Sequence, residues 1–257
     1  MKKSLLSVLI ILLINQFSHA QNYCNDTTYT YRFIDGSTTK TLEGRTIYGE
    51  VPEGSNTDGM PYIYQIFKNN TWVNSFKVDM LFNSSGYYTE YSTATWDTIA
   101  NAWKLTYKSL ITYDANNNVT SYIDQELDTS VNALVNTYKD EHMYNSANRE
   151  TKYNNFKWHT SSNTWQNVNQ KTFNYQADTL LTYLLEEVWD TISNAWRNAS
   201  LHEETFNANG KVVSGTYSIW DNTLNAWRGV NSRTLTYNTQ GLVFEEFRYQ
   251  WNTTSNS

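Results

Sequence analysis

Aromatic and polar positions recur along this chain with a period of 31 residues, and every tryptophan belongs to the pattern. One column holds Trp96, Trp158, Trp189, Trp220 and Trp251, with Leu127 in its gap; a second holds Trp72, Trp103, Trp165, Trp196 and Trp227, with Leu134 in its gap. A third column reads Phe82, Tyr113, Tyr144, Tyr175, Phe206, Tyr237, and a fourth is asparagine throughout, from Asn70, Asn101 and Asn132 to Asn256. Such a period marks stacked supersecondary units, because one unit alone cannot bury its apolar side. In the unit from Tyr87 to Asn117, two proline-free runs rich in Thr, Tyr and Trp are bounded by Asp, Asn and Gly, the composition of strands separated by turns. The pattern predicts an all-β fold, an antiparallel meander of 31-residue β-hairpin repeats over residues 62–257.

Both turns of the unit carry their own signal. Position 86 and its equivalents are Gly86, Asn117, Asn148, Thr179, Gly210 and Gly241, mostly residues that tolerate positive φ, and they are expected at the left-handed position of one turn. The Asn101 column is expected to do the same in the other loop, which Asp97, Asp128, Asp190 and Asp221 open as Asx-turn formers. Six residues separate Trp96 from Trp103, so the two indoles should oppose each other across the hairpin on one face.

Simple alternation then carries the Tyr113 column, ten residues beyond Trp103, to that same face. It also places Lys171, His202 and Arg233 there, and Lys104, Lys108 and Glu203 on the other. A continuous indole stripe is a larger apolar patch than soluble monomers usually expose. A long meander twists and coils, so a coiled or spiral sheet shielding the stripe is expected, with a closed β-barrel as the alternative and a flat sheet third. Gln65 stands where the first unit should have its first tryptophan. Residues 21–61 lack the period but include the strand-like run Thr28 to Ile34 and a turn-rich stretch from Pro52 to Pro61, as a cap would. At the other end, the run from Trp251 to Ser257 stops short of the second tryptophan of its unit. The natural reading frame is therefore expected to continue.

The first twenty residues change the cellular picture. Lys2 and Lys3, the apolar run Leu5 to Ile14 and Ser18-His19-Ala20 have the layout of a secretory signal peptide, residues 1–20. Cys24 lies four positions past Ala20, too far on for lipid anchoring, and is the single cysteine, without an intrachain disulfide partner. Beyond residue 20 the chain carries 17 basic and 25 acidic residues, which argues against nucleic acid as a partner. No second apolar run reaches the ~18 residues of a membrane helix, so no transmembrane segment is expected after signal cleavage. A localisation outside the cell or on its outer surface follows.

The segments Ile111 to Val119, Thr205 to Val213 and Leu235 to Val243, alternating with WDTIANAW, WDTISNAW and WDNTLNAW, resemble the secreted hairpin-repeat proteins of Bacteroidota over residues 62–257. That resemblance implies export and surface attachment through a C-terminal sorting domain of the type IX secretion system, a domain this chain does not contain. It is also distantly similar to YD (Rhs) repeats, whose spiralling strands build a shell, although the Tyr-Asp pair survives only at Tyr113-Asp114 and the period is longer.

Chemistry-bearing residues are sparse in the pattern. Trp158, Trp165, Trp189, Trp196, Trp220 and Trp227 are the candidate ligand surface, since aromatic rows can stack on sugars, although repeat-register aromatics more often pack. Each loop offers one carboxylate and one amide, fewer oxygens than calcium needs. The neighbours Glu186-Glu187, Glu203-Glu204 and Glu245-Glu246 should point to opposite faces and form no glycosidase dyad. His142, His159 and His202 lie in different repeats without metal-ligand spacing. A membrane barrel is disfavoured by charge at mid-strand on both faces. No catalytic residue, metal or cofactor is expected. The expected role is non-enzymatic, structural or adhesive, with extracellular polysaccharide or surface proteins as partners; the alternatives are a carbohydrate-binding module and an Rhs-like shell segment of a larger toxin or surface protein.

Overall fold

A computed structural model describes residues 27–33, 40–51 and 59–251. The signal segment, Cys24, most of the stretch between Pro52 and Pro61, and the run after Trp251 lie outside the described residues. The strands are β1 (Thr27–Phe33), β2 (Lys40–Tyr48), β3 (Tyr62–Lys68), β4 (Thr71–Phe82), β5 (Tyr88–Asp97), β6 (Ala102–Tyr113), β7 (Val119–Asp128), β8 (Ala133–Tyr144), β9 (Glu150–His159), β10 (Thr164–Gln176), β11 (Leu180–Asp190), β12 (Ala195–Phe206), β13 (Val212–Asp221), β14 (Ala226–Tyr237) and β15 (Val243–Gln250). They form one antiparallel sheet in strict chain order, β1 to β15, and the described residues contain no helix. The first and last strands are not paired with each other, so the sheet is an open meander rather than the alternative barrel.

Two compact units share this sheet. The first comprises the described residues up to Ile111 with Asp124–Asn136, and the second comprises Thr112–Ile123 with the residues from Thr137 onward. The first contains the buried apolar side chains, Val78, Ala94 and Ile111, together with buried Ser92, Thr93 and Ser109. The second buries polar side chains instead, Asn155, Gln170 and Ser200. With so little apolar area removed from water, hairpin ends and cross-strand pairs must hold the strands.

One end of each hairpin is a four-residue loop. Asp97 pairs with Ala102, and its Oδ1 accepts the amides of Ile99 and Ala100, each at 2.9 Å. Asp190 and Asp221 repeat this with Ile192 and Ser193, and with Thr223 and Leu224. These amides hold the Asp97 and Asp190 carboxyls below the usual carboxylate range. His159 takes the aspartate's place in its own loop, with Nδ1 3.0 Å from the Ser162 hydroxyl. Asn101, Asn132, Asn163, Asn194 and Asn225 all have φ between 50° and 54°, the left-handed role expected for this column.

The opposite end is a three-residue turn with a second, unforeseen column behind it. The Oδ1 atoms of Asn83, Asp114, Asn145, Asn207 and Asn238 each accept two backbone amides at 2.8–3.1 Å, two and four residues on. Gly86, Asn117, Asn148, Gly210 and Gly241 then supply the positive φ. Thr179 does not, contrary to expectation: Ala177 (φ 50°) and Asp178 (φ 60°) are left-handed instead. The cause is twofold. Gln176 stands where the other hairpins have Asn or Asp, its amide one methylene too distant for the same bonds, and a β-branched threonine is costly at positive φ.

The first hairpin also departs from the pattern. Asn69 and Asn70, with φ 51° and 66°, make a two-residue turn that pairs Phe67 with Trp72. The shorter loop shifts the register, so Phe67 and not Gln65 occupies the first tryptophan's place. Gln65 sits two pairs deeper, opposite Asn74, where its amide donates to Asn74 and accepts from Arg45, both at 2.7 Å.

A further correction concerns the faces. In every second strand whose inner pairing is described, one residue is extra: Ser75, Thr106, Val168, Ala199 and Val230, each facing no partner. Such a β-bulge breaks the two-residue alternation, so all side chains beyond it change sides. Lys77, five residues past Trp72, lies on the tryptophan face with its Nζ 5.6 Å from the Trp103 ring centroid. The column of Tyr113, Tyr144 and Tyr175 lies on the opposite face, where Tyr144 stacks on His142. Lys171, His202 and Arg233 are on this tyrosine face as well, whereas Lys108 and Glu203 are on the tryptophan face; Lys104, before the bulge, keeps its expected side. The tyrosines close their hairpins from that side: Tyr144, Tyr175 and Tyr237 donate to the carbonyls of Val119, Glu150 and Val212, the first residues of the partner strands, at 2.7–2.9 Å.

The irregular turn generates a prediction. Replacing Ala177-Asp178 by Asn-Gly, the pair preferred where two successive residues are left-handed, should stabilise the chain by about 1 kcal/mol, since alanine at positive φ costs ~1–2 kcal/mol. The urea unfolding midpoint should rise; a lower midpoint contradicts the turn assignment.

Candidate functional site

The six tryptophans expected to form a ligand surface stand as three cross-strand couples. Trp158 opposes Trp165, Trp189 opposes Trp196 and Trp220 opposes Trp227, with ring centroids 4.9, 5.1 and 5.1 Å apart and planes crossed at 72–79°. Trp96 and Trp103 form a fourth couple of the same geometry. Edge-to-face contact sets the positive rim of one indole against the negative face of the other, so each couple clasps its own hairpin just inside the loop. All these indoles are half-buried, and Trp251 is 40% exposed. Cations from a neighbouring hairpin lie over the rings: Arg45 is 4.4 Å from the Trp72 centroid, and Lys139 is 5.5 Å from that of Trp165.

Within a hairpin the ladder runs to the loop, but between hairpins it stops short. Pairing of β10 with β11 begins at Asn169 and Val188, and that of β12 with β13 at Ser200 and Ile219. The tryptophan ends therefore leave room between adjacent hairpins. Between β9–β10 and β11–β12 this room is a cleft of about 320 Å³, with Trp165 on one wall and Trp189 on the other. Sequence reasoning placed Trp165 and Trp189, from two columns, in one candidate surface but could not find the cleft, which lies where the inter-hairpin ladder ends at Asn169 and Val188.

A second cluster lies on the tyrosine face of β8 and β9 and was not foreseen. His142 Nδ1 is 2.5 Å from Glu150 and Nε2 is 3.1 Å from Asp140. Tyr138 donates to Asp140 at 3.0 Å, and its oxygen is 3.0 Å from that of Tyr153, whose ring meets the His142 imidazole edge-on. Hydrogen bonds to Asp140 first and Glu150 second raise the His142 pKa to about 9 against the opposing effect of burial. Both ring nitrogens are committed to carboxylates. The imidazolium thus serves as a cross-strand ionic link rather than as a proton carrier near neutrality.

The same face continues as paired charges. Lys171 bonds Glu186 at 2.7 Å and Ser200 adds a bond of 2.7 Å; together they hold that carboxyl below its usual range. Arg233 reaches Glu204 at 2.6 Å, and Arg248 reaches Glu246 at 2.8 Å. Glu187 instead accepts from Gln170 at 2.6 Å. The adjacent acids Glu186 and Glu187 therefore serve opposite faces, as strand alternation requires.

This geometry defines a hairpin-repeat β-protein with clasped aromatic loops on one face and an ion-paired ribbon on the other. No family model matches the chain, and no curated protein matches it. Among solved structures, it is similar to a protein with unknown function from Bacteroides fragilis, at 10% identity and TM-score 0.38 over 56% of this chain and 92% of that one. It is similar to a DUF3836 family protein from Bacteroides vulgatus, at 18% identity and TM-score 0.28 over 35% and 90%. It is also similar to a Tc holotoxin pore of Photorhabdus luminescens, at 12% identity and TM-score 0.44 over 88% of this chain and 11% of that one. No activity or partner passes from these structures to this chain.

The His142 link should show itself as a pH dependence. Its pKa is higher folded than unfolded, so its contribution is complete below about pH 6.5 and is lost as the pH rises through about 9. The difference in urea midpoint between the native chain and His142→Gln should shrink over that window; a constant difference would mean that the imidazolium is not held by Asp140 and Glu150.

Proposed function

We propose that this chain is an exported, non-enzymatic β-repeat protein that acts as a structural or adhesive element at the cell surface. One observation carries the reading: the residues that recur between repeats are spent on holding the hairpins. The Asx side chains cap turns, the asparagines and glycines supply left-handed φ, the indoles couple across strands and the tyrosines close the opposite ends. What varies between repeats is the exposed surface, as in proteins that present a scaffold to partners. Export by the residue 1–20 signal, and surface attachment by the type IX route, belong to the same proposal. The carboxylates of the ion-paired face are engaged by Lys171, Arg233, Arg248 and His142, which supports a structural use of those groups over a hydrolytic one.

External protease treatment of intact producing cells, followed by immunodetection, tests the reading. The chain should be found outside the cytoplasmic membrane and be removed by the protease, and cells lacking it should attach less well to a polysaccharide-coated surface. Retention in the cytoplasm, or unchanged attachment, overturns the proposal.

A further inference from the structure

The cleft between the β9–β10 and β11–β12 hairpins combines three features, the last of which the next hairpin along does not repeat. Its two aromatic walls, Trp165 and Trp189, come from different hairpins and are not partners of one another. Its polar lining includes Gln166, Asn167 and Asn194, whose side-chain amides make no hydrogen bond with another described residue, and the Ser162 hydroxyl. Its lining carries neither carboxylate nor ammonium nor guanidinium. One repeat later, the positions of His159 and Gln166 are Asp190 and Arg197, so the same place is charged.

We infer that this cleft is a binding site for a neutral saccharide, one pyranose ring lying against indole while adjacent hydroxyls bond the amides of Gln166, Asn167 and Asn194. A pyranose has an apolar face of C–H groups and a rim of hydroxyls, each both donor and acceptor. An indole offers the matching π-surface, and a carboxamide offers a donor and an acceptor side by side. An uncharged polyhydroxylated ligand needs no counter-ion, and the lining supplies none. The volume of about 320 Å³ lies at the small end of the ~300–1,000 Å³ of ligand pockets, room for one or two rings of a longer chain entering from the open side. The inference goes beyond the structural role: that role stands without a sugar, and the sugar site stands wherever the protein is located.

Calorimetric titration of the purified chain with maltohexaose, cellohexaose, xylohexaose and mannohexaose, and with an alginate oligomer as anionic control, tests it. At least one neutral hexasaccharide should bind and the alginate should not. Gln166→Arg and Asn167→Asp, which import charge at exposed or half-exposed side chains, should each weaken that binding about tenfold, the loss of one good hydrogen bond, without moving the thermal unfolding midpoint. Asn198→Asp, at the corresponding position of the next hairpin, should leave it unchanged. Should Gln166→Arg disturb folding, Asn167→Ala provides the same reading without added charge. Absence of binding to all four neutral sugars, tighter binding of alginate, or undiminished binding by the folded cleft variants overturns the inference.

Discussion

A sheet that buries few apolar side chains among its described residues has to be held at the ends of its hairpins, and that constraint explains which residues recur. Val78, Ala94 and Ile111 are the buried apolar side chains among the described residues, so hydrophobic burial of the kind that stabilises sandwiches and barrels is small here. In its place the typical hairpin is closed at one loop by an Asx cap, a left-handed asparagine and a pair of crossed aromatics, with His159 standing in for the aspartate of one loop and Leu127 and Leu134 for the indoles of another. At the other end it is closed by an Asx cap, a left-handed Gly or Asn and, where the column holds Tyr144, Tyr175 or Tyr237, a tyrosine hydrogen bond. Each device fixes register locally, and a slip by one residue would undo all of them at once.

The β-bulge connects these ends to the surface the protein presents. Without it, tryptophans and tyrosines would share one face; with it, the indole couples lie on one side and the tyrosine closures on the other. The tyrosine side also changes character along the chain. Phe76, Val78 and Met80 give way to Tyr138, Asp140 and His142, then to Asn169, Lys171 and Phe173, and then to Ser200, His202 and Glu204. The charges that enter are paired along and across strands: Asp140 with His142 on β8, Lys171 with Glu186 on the adjacent strand, and Glu204 with Arg233 over Gly215 of the strand between them. Half-exposed pairs of this kind add little stability individually, but opposite charges across a strand penalise a shifted register.

Much of the architecture was legible in the residues because each recurring element has a local cause. Trp96 opposite Trp103, the left-handed Asn101 column and the Asp97 cap follow from spacing and turn chemistry alone. The Asx column from Asn83 to Asn238 is equally visible, with Gln176 and Thr179 failing together in one repeat, but only Asp114 drew notice, as half of the Tyr113-Asp114 pair and not as a capping position. The face of Lys77, Lys171 or Arg233 was not legible: Ser75, Thr106, Val168, Ala199 and Val230 share no side-chain chemistry, and a bulge follows from unequal pairing of two strands rather than from the bulged residue. The cleft beside Trp165 escaped for the same reason, because it exists where the inter-hairpin ladder ends.

The central claim is that the bulge inverts the faces, and residues 76 and 77, just past the bulge at Ser75, read it most directly. Regular alternation from Trp72 would place Phe76 on the tryptophan side and Lys77 on the other. The structure instead sets Lys77 Nζ 5.6 Å from the Trp103 ring centroid and the Phe76 ring centroid 6.0 Å from that of Tyr62. Nuclear Overhauser spectra of the full chain should show Lys77 side-chain protons, shifted upfield by ring current, in contact with Trp103, and the Phe76 ring in contact with Tyr62. Cross-peaks from the Phe76 ring to Trp103, with Lys77 free of ring current, would contradict the account.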